Sequence, residues 1–448
     1  MLQPPPRYYT LPSSPSYRCL DRFSILDETH EDGDGLVGVW PLLLEVLSQP
    51  VSRTAQVISM LETIACSLRG TSGVAGDYGT LKTFLDAQPP SFYASVWPSI
   101  VDSALRLPTL FLDSQIAVLT PGSEAVLERD QVRCLVAHQF LCTLEEPPWR
   151  DGFYDFSIWY ASDQRHPRAA EMYLAALIEF FSHPPFADEP VRYSLSSFEK
   201  MNQGRESPND AALVPVEIIR LPTFSTQQQE LSYQGPHGAV VVSANKHIGF
   251  GQSATQEEIY VGNAPDSCPA VLMTPPLSDE EVLMIQGAAP MLRIDGQRRD
   301  ISWTPLPGGS RCGGRMLFMD ALEMDERGSD GGRLPDLRPE NMDRELRKAI
   351  VAFSSWQGDI RTVSTGLWGC GAFNGNPGVK MKLVWAAASI AGVNLEIMCD
   401  GRTQREFADV FEDFVRGMTG AKVRDLMEAI ERLQGDEHLL QITTLPCT

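Results

Sequence analysis

Basic residues are scarce in this chain of 448 residues. Its 37 lysines and arginines face 58 acids, a formal net charge of −21 at pH 7. A surface of that sign excludes non-specific binding of DNA or RNA by the protein as a whole. A polyanionic ligand would have to be met at one local site. No basic run is dense enough to read as a nuclear targeting signal. Histidine is also rare. The seven present never fall at an HxxxH spacing, and none stands at zinc-finger distance from a cysteine, so no metal site is expected. The nine cysteines include no C-x-x-C pair and are odd in number, which argues against a secreted disulfide scaffold and for a reducing compartment. No apolar run approaches the roughly 18 residues of a membrane-spanning helix. The N-terminal stretch MLQPPPRYYTLPSSPSYR has no apolar h-region, so a signal peptide is not expected there. Internal repeats and heptad arrays are missing too, which excludes a solenoid or coiled coil and leaves a monomer as the default.

What remains is an ordinary globular composition, 43% hydrophobic and 21% charged, in a chain long enough to bury a large core or two. Three parts are legible. Residues 1–35 are proline-rich and then acidic, an arm that lies extended on the surface or stays partly disordered. Residues 36–200 read as helical. Val57, Ile58, Leu61, Ile64 and Ala65 mark one face of a helix that ends at Gly70, and DQVRCLVAHQFLCTL and RAAEMYLAALIEFFSH are two more. His138 sits on the apolar side of its helix and is expected to be a satisfied core histidine rather than a ligand.

In the third part, residues 201–448, strands and helices alternate. The runs VPVEII, GAVVVSA, EVLMIQG, RMLFMDAL, IRTVSTG and NLEIMCD read as strands. PENMDRELRKAIVAF, KMKLVWAAASIAG, REFADVFEDFVRGMTG and KVRDLMEAIERL read as helices. Such alternation predicts an α/β fold with a central sheet covered on both faces. NQGRESPND (Asn202 to Asp210) is expected to be a boundary loop, and GSDGGRLPDLRPEN (Gly328 to Asn341) a long flexible insertion.

Two stretches carry candidate chemistry. The first, NKHIGFGQSATQEEIYVG (Asn245 to Gly262), follows the buried strand GAVVVSA. Gly249 and Gly251 make a glycine loop, and Ser253 with Gln256 fits a capping box that would start a helix there. Strand, glycine loop and helix start together present backbone N–H groups to a phosphate. Glu257 and Glu258 then fall in or near the first turn, where carboxylates are favoured and where ordinary first-turn acids are common. Adjacent helical residues point about 100° apart. The pair therefore cannot flank one bond from opposite sides as two glycosidase carboxylates do, and must do different jobs. The second stretch is WGCGAFNGNP. Gly369 and Gly371 allow close backbone approach to a ligand, Asn376 can cap a following helix with Pro377 in its first position, and Phe373 either packs on a ligand or is buried in a tight turn. Cys370 has no histidine placed to activate it and reads as a packing residue.

These residues resemble the poly(ADP-ribose) glycohydrolase family. Gln256-Glu257-Glu258 after a glycine loop is similar to its signature, and Thr365 to Phe373 looks like its T-G-x-W-G-C-G-A-F block. Met319 to Leu322 and Arg344 to Lys348 look familiar as well. The likeness runs from about Leu213 to Gln441 and more loosely upstream.

It implies a macrodomain-like mixed central sheet flanked by helices, with an N-terminal mostly helical region. It also implies hydrolysis of the ribose–ribose bonds of poly(ADP-ribose) to release ADP-ribose, with no cofactor. Carried over, Glu258 would be the acid/base. Glu257 and Asn245 would hold the reacting ribose. Gly249, Phe250, Gly251, Gln256, Gly369, Gly371, Ala372 and Phe373 would bind substrate, chiefly its diphosphate. Poly(ADP-ribose) or ADP-ribose would be the partner, without direct DNA binding or a membrane. The setting would be nuclear or cytoplasmic, in the DNA damage response. The alternatives are an ADP-ribose-binding macrodomain reader without catalysis, or a hydrolase of mono-ADP-ribosyl proteins. A reader does not need the glutamate pair.

Three departures from the family stand out. Phe250 replaces the middle glycine of Gly-Gly-Gly, so its side chain must point away from the phosphate or narrow the pocket. Val242 stands where animal members often have Asp. Gln297, after Gly296, stands where they carry the tyrosine that folds over the substrate. The last change predicts that inhibitors built around that tyrosine lid bind this protein poorly; an inhibition curve checks it.

Overall fold

In a computed structural model of the protein, the described residues run from 7 to 433, apart from 27–34, 70–75, 150–152, 186–188, 202–209, 223–224, 226–236, 309–312, 326–333 and 355–359. Residues 202–209 of the loop expected at Asn202 to Asp210, and residues 328–333 of the insertion expected at Gly328 to Asn341, lie outside them. The strands that matter are β1 (Glu124–Leu127), β2 (Val191–Ser197), β3 (Val216–Leu221), β4 (Gly238–Ala244), β5 (Glu281–Ala288), β6 (Leu292–Asp295), β7 (Ser302–Pro305), β8 (Gly314–Asp320), β9 (Thr362–Thr365) and β10 (Asn394–Asp400). β6 and β7 pair with each other as a hairpin, and the other eight form one sheet in the order β1-β2-β5-β8-β4-β9-β10-β3. From β8 to β3 the neighbours run parallel; β5, β2 and β1 add on antiparallel. The sheet is therefore mixed, and all six runs read as strands take part in it.

The helices are α1 (Val39–Leu47), α2 (Thr54–Arg69), α3 (Gly79–Asp86), α4 (Trp97–Leu105), α5 (Arg129–Phe140), α6 (Pro167–Ser182), α7 (Gln256–Asn263), α8 (Pro339–Ser354), α9 (Pro377–Ala391), α10 (Arg405–Gly417) and α11 (Val423–Arg432). β4 shows why both faces of the sheet are covered. Its Val240, Val242 and Ala244 point into a core shared with α1 to α7, while Ala239 and Val241 point into a second core with α8, α9 and α10. A strand buried on both faces reads as an unbroken apolar run, which GAVVVSA is.

The region read as helical also lends the sheet two strands, β1 and β2. The burial of β2 alternates strictly, the period of a strand with one face inward. Its outward Arg192, Ser194 and Ser196 break up the apolar run. The arm is partly built in: Tyr8–Thr10 pairs antiparallel with Gln115–Ala117, Arg18–Cys19 pairs with Val37–Gly38, and Leu11 is fully buried. His138 is a core histidine. Its ring nitrogens meet Thr143 Oγ1 at 2.6 Å and the Ala104 carbonyl at 3.1 Å, and burial pushes its pKa down to about 4. Among the described residues no group of histidine, cysteine and acidic side chains could hold a metal, no helix is long and apolar enough to cross a membrane, and the cysteines are free thiols.

Chain order places the functional end of the sheet. After β4 the chain builds β5 and β8 on one side, then crosses to β9 on the other. In open α/β sheets ligands bind outside the carboxyl ends of the strands at such a reversal. One buried ion pair fastens the helical region to this sheet. Arg129, at the start of α5, donates to Asp266 Oδ2 at 3.0 Å, to the Gly287 carbonyl at 2.9 Å and to the Glu189 carbonyl at 2.7 Å. Burial raises the pKa of Asp266, and Arg129 opposes that rise. Removing the cation alone leaves an uncompensated charge inside. Arg129→Met is expected to cost about 3–5 kcal/mol, the usual result of breaking a buried pair from one side, measurable by urea unfolding.

Candidate active site

A cleft of about 490 Å³ opens at the carboxyl ends of β4, β9, β10 and β3. One wall is Ser243 to Asn245 and Ser253 to Glu258; the facing wall is Gly366 to Phe373. Leu221 and Met398 to Asp400, with Thr403 and Gln404, line another part, and Gln297 and Arg298 of the β6–β7 hairpin reach the same space. The two stretches singled out in the sequence thus face each other.

The first wall is held by three consecutive side chains with three different partners. Pairing of β4 with β9 stops at Val240. Beyond it the Gln256 amide takes the Ser243 N–H at 2.8 Å and donates to the Val241 carbonyl at 2.9 Å, which fixes the start of α7 against the strand. Glu257 is only 6% exposed. Its Oε2 accepts the Asn245 N–H and its Oε1 the Gly249 N–H, each at 2.8 Å. Glu258 turns back on its own helix, where Oε2 accepts the Thr255 N–H at 2.9 Å and its N–H reaches Thr255 Oγ1 at 3.4 Å. The helix cap is therefore Thr255 with Glu258, not Ser253 with Gln256 as expected. Thr255 has the extended backbone an N-cap needs, with φ −70° and ψ 170°, and its partner lies three residues on. The pair of acids does occupy the first turn, at its second and third positions.

The glycine loop departs from expectation. Gly249, Phe250 and Gly251 are buried and do not line the cleft. They stand behind its wall, and the Gly249 N–H is already given to Glu257. The Phe250 ring points away from the cleft, 5.2 Å from the ring of Phe156 and 5.3 Å from that of Trp159 in the helical region. Trp159 also donates to the Gly251 carbonyl at 3.0 Å. Gly251 has a steric reason to be glycine: a Cβ there would sit 2.3 Å from Glu258 Oε1. The loop is thus a seat for the Glu258 carboxyl. Asn245, Gln256, Glu257 and Glu258 do line the cleft.

On the facing wall Gly369, Gly371, Ala372 and Phe373 all line the cleft. Gly369 has φ 73°, and a Cβ there would strike Ala321 at 2.7 Å. Gly371 is exposed, and a Cβ there would meet only open space. Phe373 is half-buried, with its carbonyl accepting the Met324 N–H. As expected, Asn376 caps α9, accepting the Val379 N–H at 3.1 Å, and Pro377 opens it. Cys370 is no nucleophile: its Sγ packs on the Trp368 carbonyl, and burial pushes its thiol pKa up.

Beneath this turn lies an ionic scaffold built from Met319 to Leu322 and Arg344 to Lys348. Lys380 pairs with Glu345 at 2.7 Å, Lys348 with Asp320 at 2.6 Å, and Arg344 with both acids. Glu345 Oε1 also takes the Leu322 N–H at 2.7 Å, and the Lys380 ammonium lies 5.1 Å from the Trp368 ring centre.

Sequence reasoning missed the residues at the β10 end, Met398 to Asp400, Thr403 and Gln404; their place at the carboxyl end of a parallel strand was the available signal. It also missed the support the helical region gives α7 from behind the cleft. The Tyr173 ring of α6 lies where a Cβ on Gly262 would be, 2.2 Å away, one turn beyond Glu258 on α7. Burial, and then the charge of Glu258, raises its phenol pKa. Val242 is fully buried in β4.

A family model described as "Poly (ADP-ribose) glycohydrolase (PARG), Macro domain fold" matches residues 217–407, and one described as the helical domain of the same family matches residues 85–197. Poly(ADP-ribose) glycohydrolase 2 of Caenorhabditis elegans is 31% identical over 180 residues, 36% of this chain and 37% of that protein. Poly(ADP-ribose) glycohydrolase 1 of the same organism is 31% identical over 167 residues, 33% of this chain and 21% of that protein. The match thus spans well under half the length of either relative. A solved poly(ADP-ribose) glycohydrolase from Deinococcus radiodurans in complex with ADP-ribose aligns with a TM-score of 0.37 at 15% identity, over 50% of this chain and 95% of that one.

The seat of Glu258 yields a test. Gly251→Ala is expected to drive the Glu258 carboxyl off the loop and break its bond to the Thr255 N–H, costing about 0.5–2 kcal/mol as a lost cap. A crystal structure of the variant checks this; an unmoved carboxyl would refute the packing argument.

Proposed function

The chain belongs to the poly(ADP-ribose) glycohydrolase family, and on that footing we propose that it hydrolyses the ribose–ribose O-glycosidic bonds of poly(ADP-ribose) and releases ADP-ribose. The observation that carries the reading is one juxtaposition. The Glu258 carboxyl and the open turn at Gly369 to Phe373 line a single cleft. The turn takes the substrate's diphosphate, with Gly371 leaving its backbone bare for close approach.

Glu258 is the acid/base. In its protonated form it gives its proton to the bridging ribose oxygen as the bond from the anomeric carbon to that oxygen breaks. The leaving ribose departs as an alcohol. The carboxylate then takes a proton from water, and that water's oxygen bonds to the anomeric carbon. Glu258 ends protonated, as it began. The positive charge that builds on the sugar ring is stabilised by the nearby diphosphate. Because Thr255 and Gly251 hold the carboxyl in place, little reorganisation precedes the proton transfer.

Glu257 and Asn245 steady the ribose from the same wall. Glu257 accepts the Asn245 and Gly249 N–H groups with its two oxygens and also lines the cleft, where its carboxylate can accept from a ribose hydroxyl. The proposed setting is nuclear or cytoplasmic.

The test is incubation of the purified chain with poly(ADP-ribose) beside Glu258→Gln. The unaltered chain should release ADP-ribose, and the variant should lose at least ~10²-fold in rate, the size of a general acid/base contribution, while still binding ADP-ribose. Intact polymer with the unaltered chain, together with tight ADP-ribose binding, would make the protein a reader instead.

A further inference from the structure

In a protein carrying a net charge of −21, three arginines stand at or beside the mouth of the cleft. Arg165 precedes α6 and donates from Nη1 to Ser253 Oγ, on the cleft wall, at 3.3 Å. Arg298 lines the cleft itself from the tip of the β6–β7 hairpin, and Arg299 follows it; all three arginines are exposed. Arg298 holds φ 54°, a left-handed backbone uncommon for a long side chain, at the point where the hairpin turns toward the cleft.

The hairpin is fastened in this position. α6 packs against β7 and the turn at Arg298–Asp300. Arg168 of α6 lies 4.2 Å from the ring centre of Trp303 in β7 and pairs with Glu171 at 2.9 Å, so it serves as a strut and is not counted among the ligand-facing cations. His166, between the groups, has its pKa lowered first by burial and then by Arg165, Arg298 and Arg299. It is also the N-cap of the 16-residue α6, and its side chain makes no capping bond, so the positive end of that helix faces the same rim.

We propose that Arg165, Arg298 and Arg299 form a second anion site at the cleft mouth, which takes the diphosphate of the ADP-ribose unit adjoining the one in the cleft. The proposal rests on the reading that an ADP-ribose unit fills the cleft. A polymer brings one diphosphate per unit at a fixed spacing along its chain. A protein with an acidic surface holds such a ligand by concentrating guanidinium groups where the second diphosphate emerges, since arginine forks match phosphate oxygens in pairs. The rim thereby selects polymer over single ADP-ribose units, a preference the cleft alone does not supply.

The test uses the full chain carrying Glu258→Gln, so that the ligand survives. Fluorescence anisotropy compares ADP-ribose with ADP-ribose oligomers of defined length, with and without Arg165→Glu/Arg299→Glu. The oligomer should bind at least roughly tenfold tighter than ADP-ribose, less than the ~10²–10⁴ that two fully linked sites can add, and more steeply with falling salt. Charge reversal should remove that margin and flatten the salt dependence while leaving ADP-ribose affinity unchanged, which also shows that the variant is folded. Equal affinity for oligomer and monomer before reversal would overturn the proposal. Equal weakening of both by reversal would do so too, as would equal competition by a single-stranded RNA of the same phosphate number. Polymer cleavage by the unaltered chain is followed in parallel. Absent cleavage with the oligomer margin intact sinks the glycohydrolase reading alone; cleavage without the margin sinks the rim alone.

Discussion

The cleft depends on one carboxyl group. Glu257 accepts the N–H of Asn245 with one oxygen and that of Gly249 with the other, and so folds the chain leaving β4 back onto the first turn of α7. Hydrogen bonds from neutral donors to a buried carboxylate are among the stronger ones available, and this one is nearly sealed from water. With the loop gathered in that way, Gly251 comes under Glu258, and the Thr255 N–H can hold the other oxygen of the same carboxyl. Glu257 therefore sets the position of its neighbour.

The helical region completes the arrangement from behind. Phe250 packs against the stacked rings of Phe156 and Trp159, and Trp159 hydrogen-bonds the Gly251 carbonyl. A bulky residue in a glycine loop is tolerated because the loop is backed by aromatic rings. Under the facing turn, the pairs Lys380–Glu345 and Lys348–Asp320 do comparable work with charge. Buried pairs of this kind are weak evidence for stability, since each ion has lost its water. Their use here is geometric: Glu345 also ties the Leu322 backbone, and Lys380 lies against the Gly369 turn, where a Cβ would come within 3.2 Å of its ammonium.

Much of this was legible in the amino-acid sequence, and the gaps have physical causes. The runs of the central strands β4 and β8 are legible because a strand buried on both faces must be apolar throughout, whereas β3 at the sheet edge keeps Glu217 and Arg220 exposed and buries only Leu221. β2 escaped because one of its faces is polar, so its residues spell out no such run. The helix start at Thr255 was misplaced by two residues because Ser253 offers the same chemistry that much earlier; the backbone at Thr255, not the side-chain type, decides the cap. The two opposed stretches were legible because glycine, asparagine and proline leave strong local signatures. Burial of the Gly249–Gly251 loop was not legible, since it depends on Trp159, some ninety residues away in sequence. The arginine rim was hidden for the same reason: Arg165 and Arg298 lie on separate elements that meet only through the packing of α6 on the hairpin.

The central claim is that the turn at Gly369 to Phe373 holds a diphosphate and thereby sets a sugar's anomeric carbon beside Glu258. A crystal structure of the protein with ADP-ribose bound addresses it most directly. The account predicts diphosphate oxygens against the backbone of that turn and the distal ribose anomeric carbon within reach of the Glu258 carboxyl. A diphosphate bound elsewhere in the cleft, or a distal ribose turned toward Asp400 and away from Glu258, would contradict it.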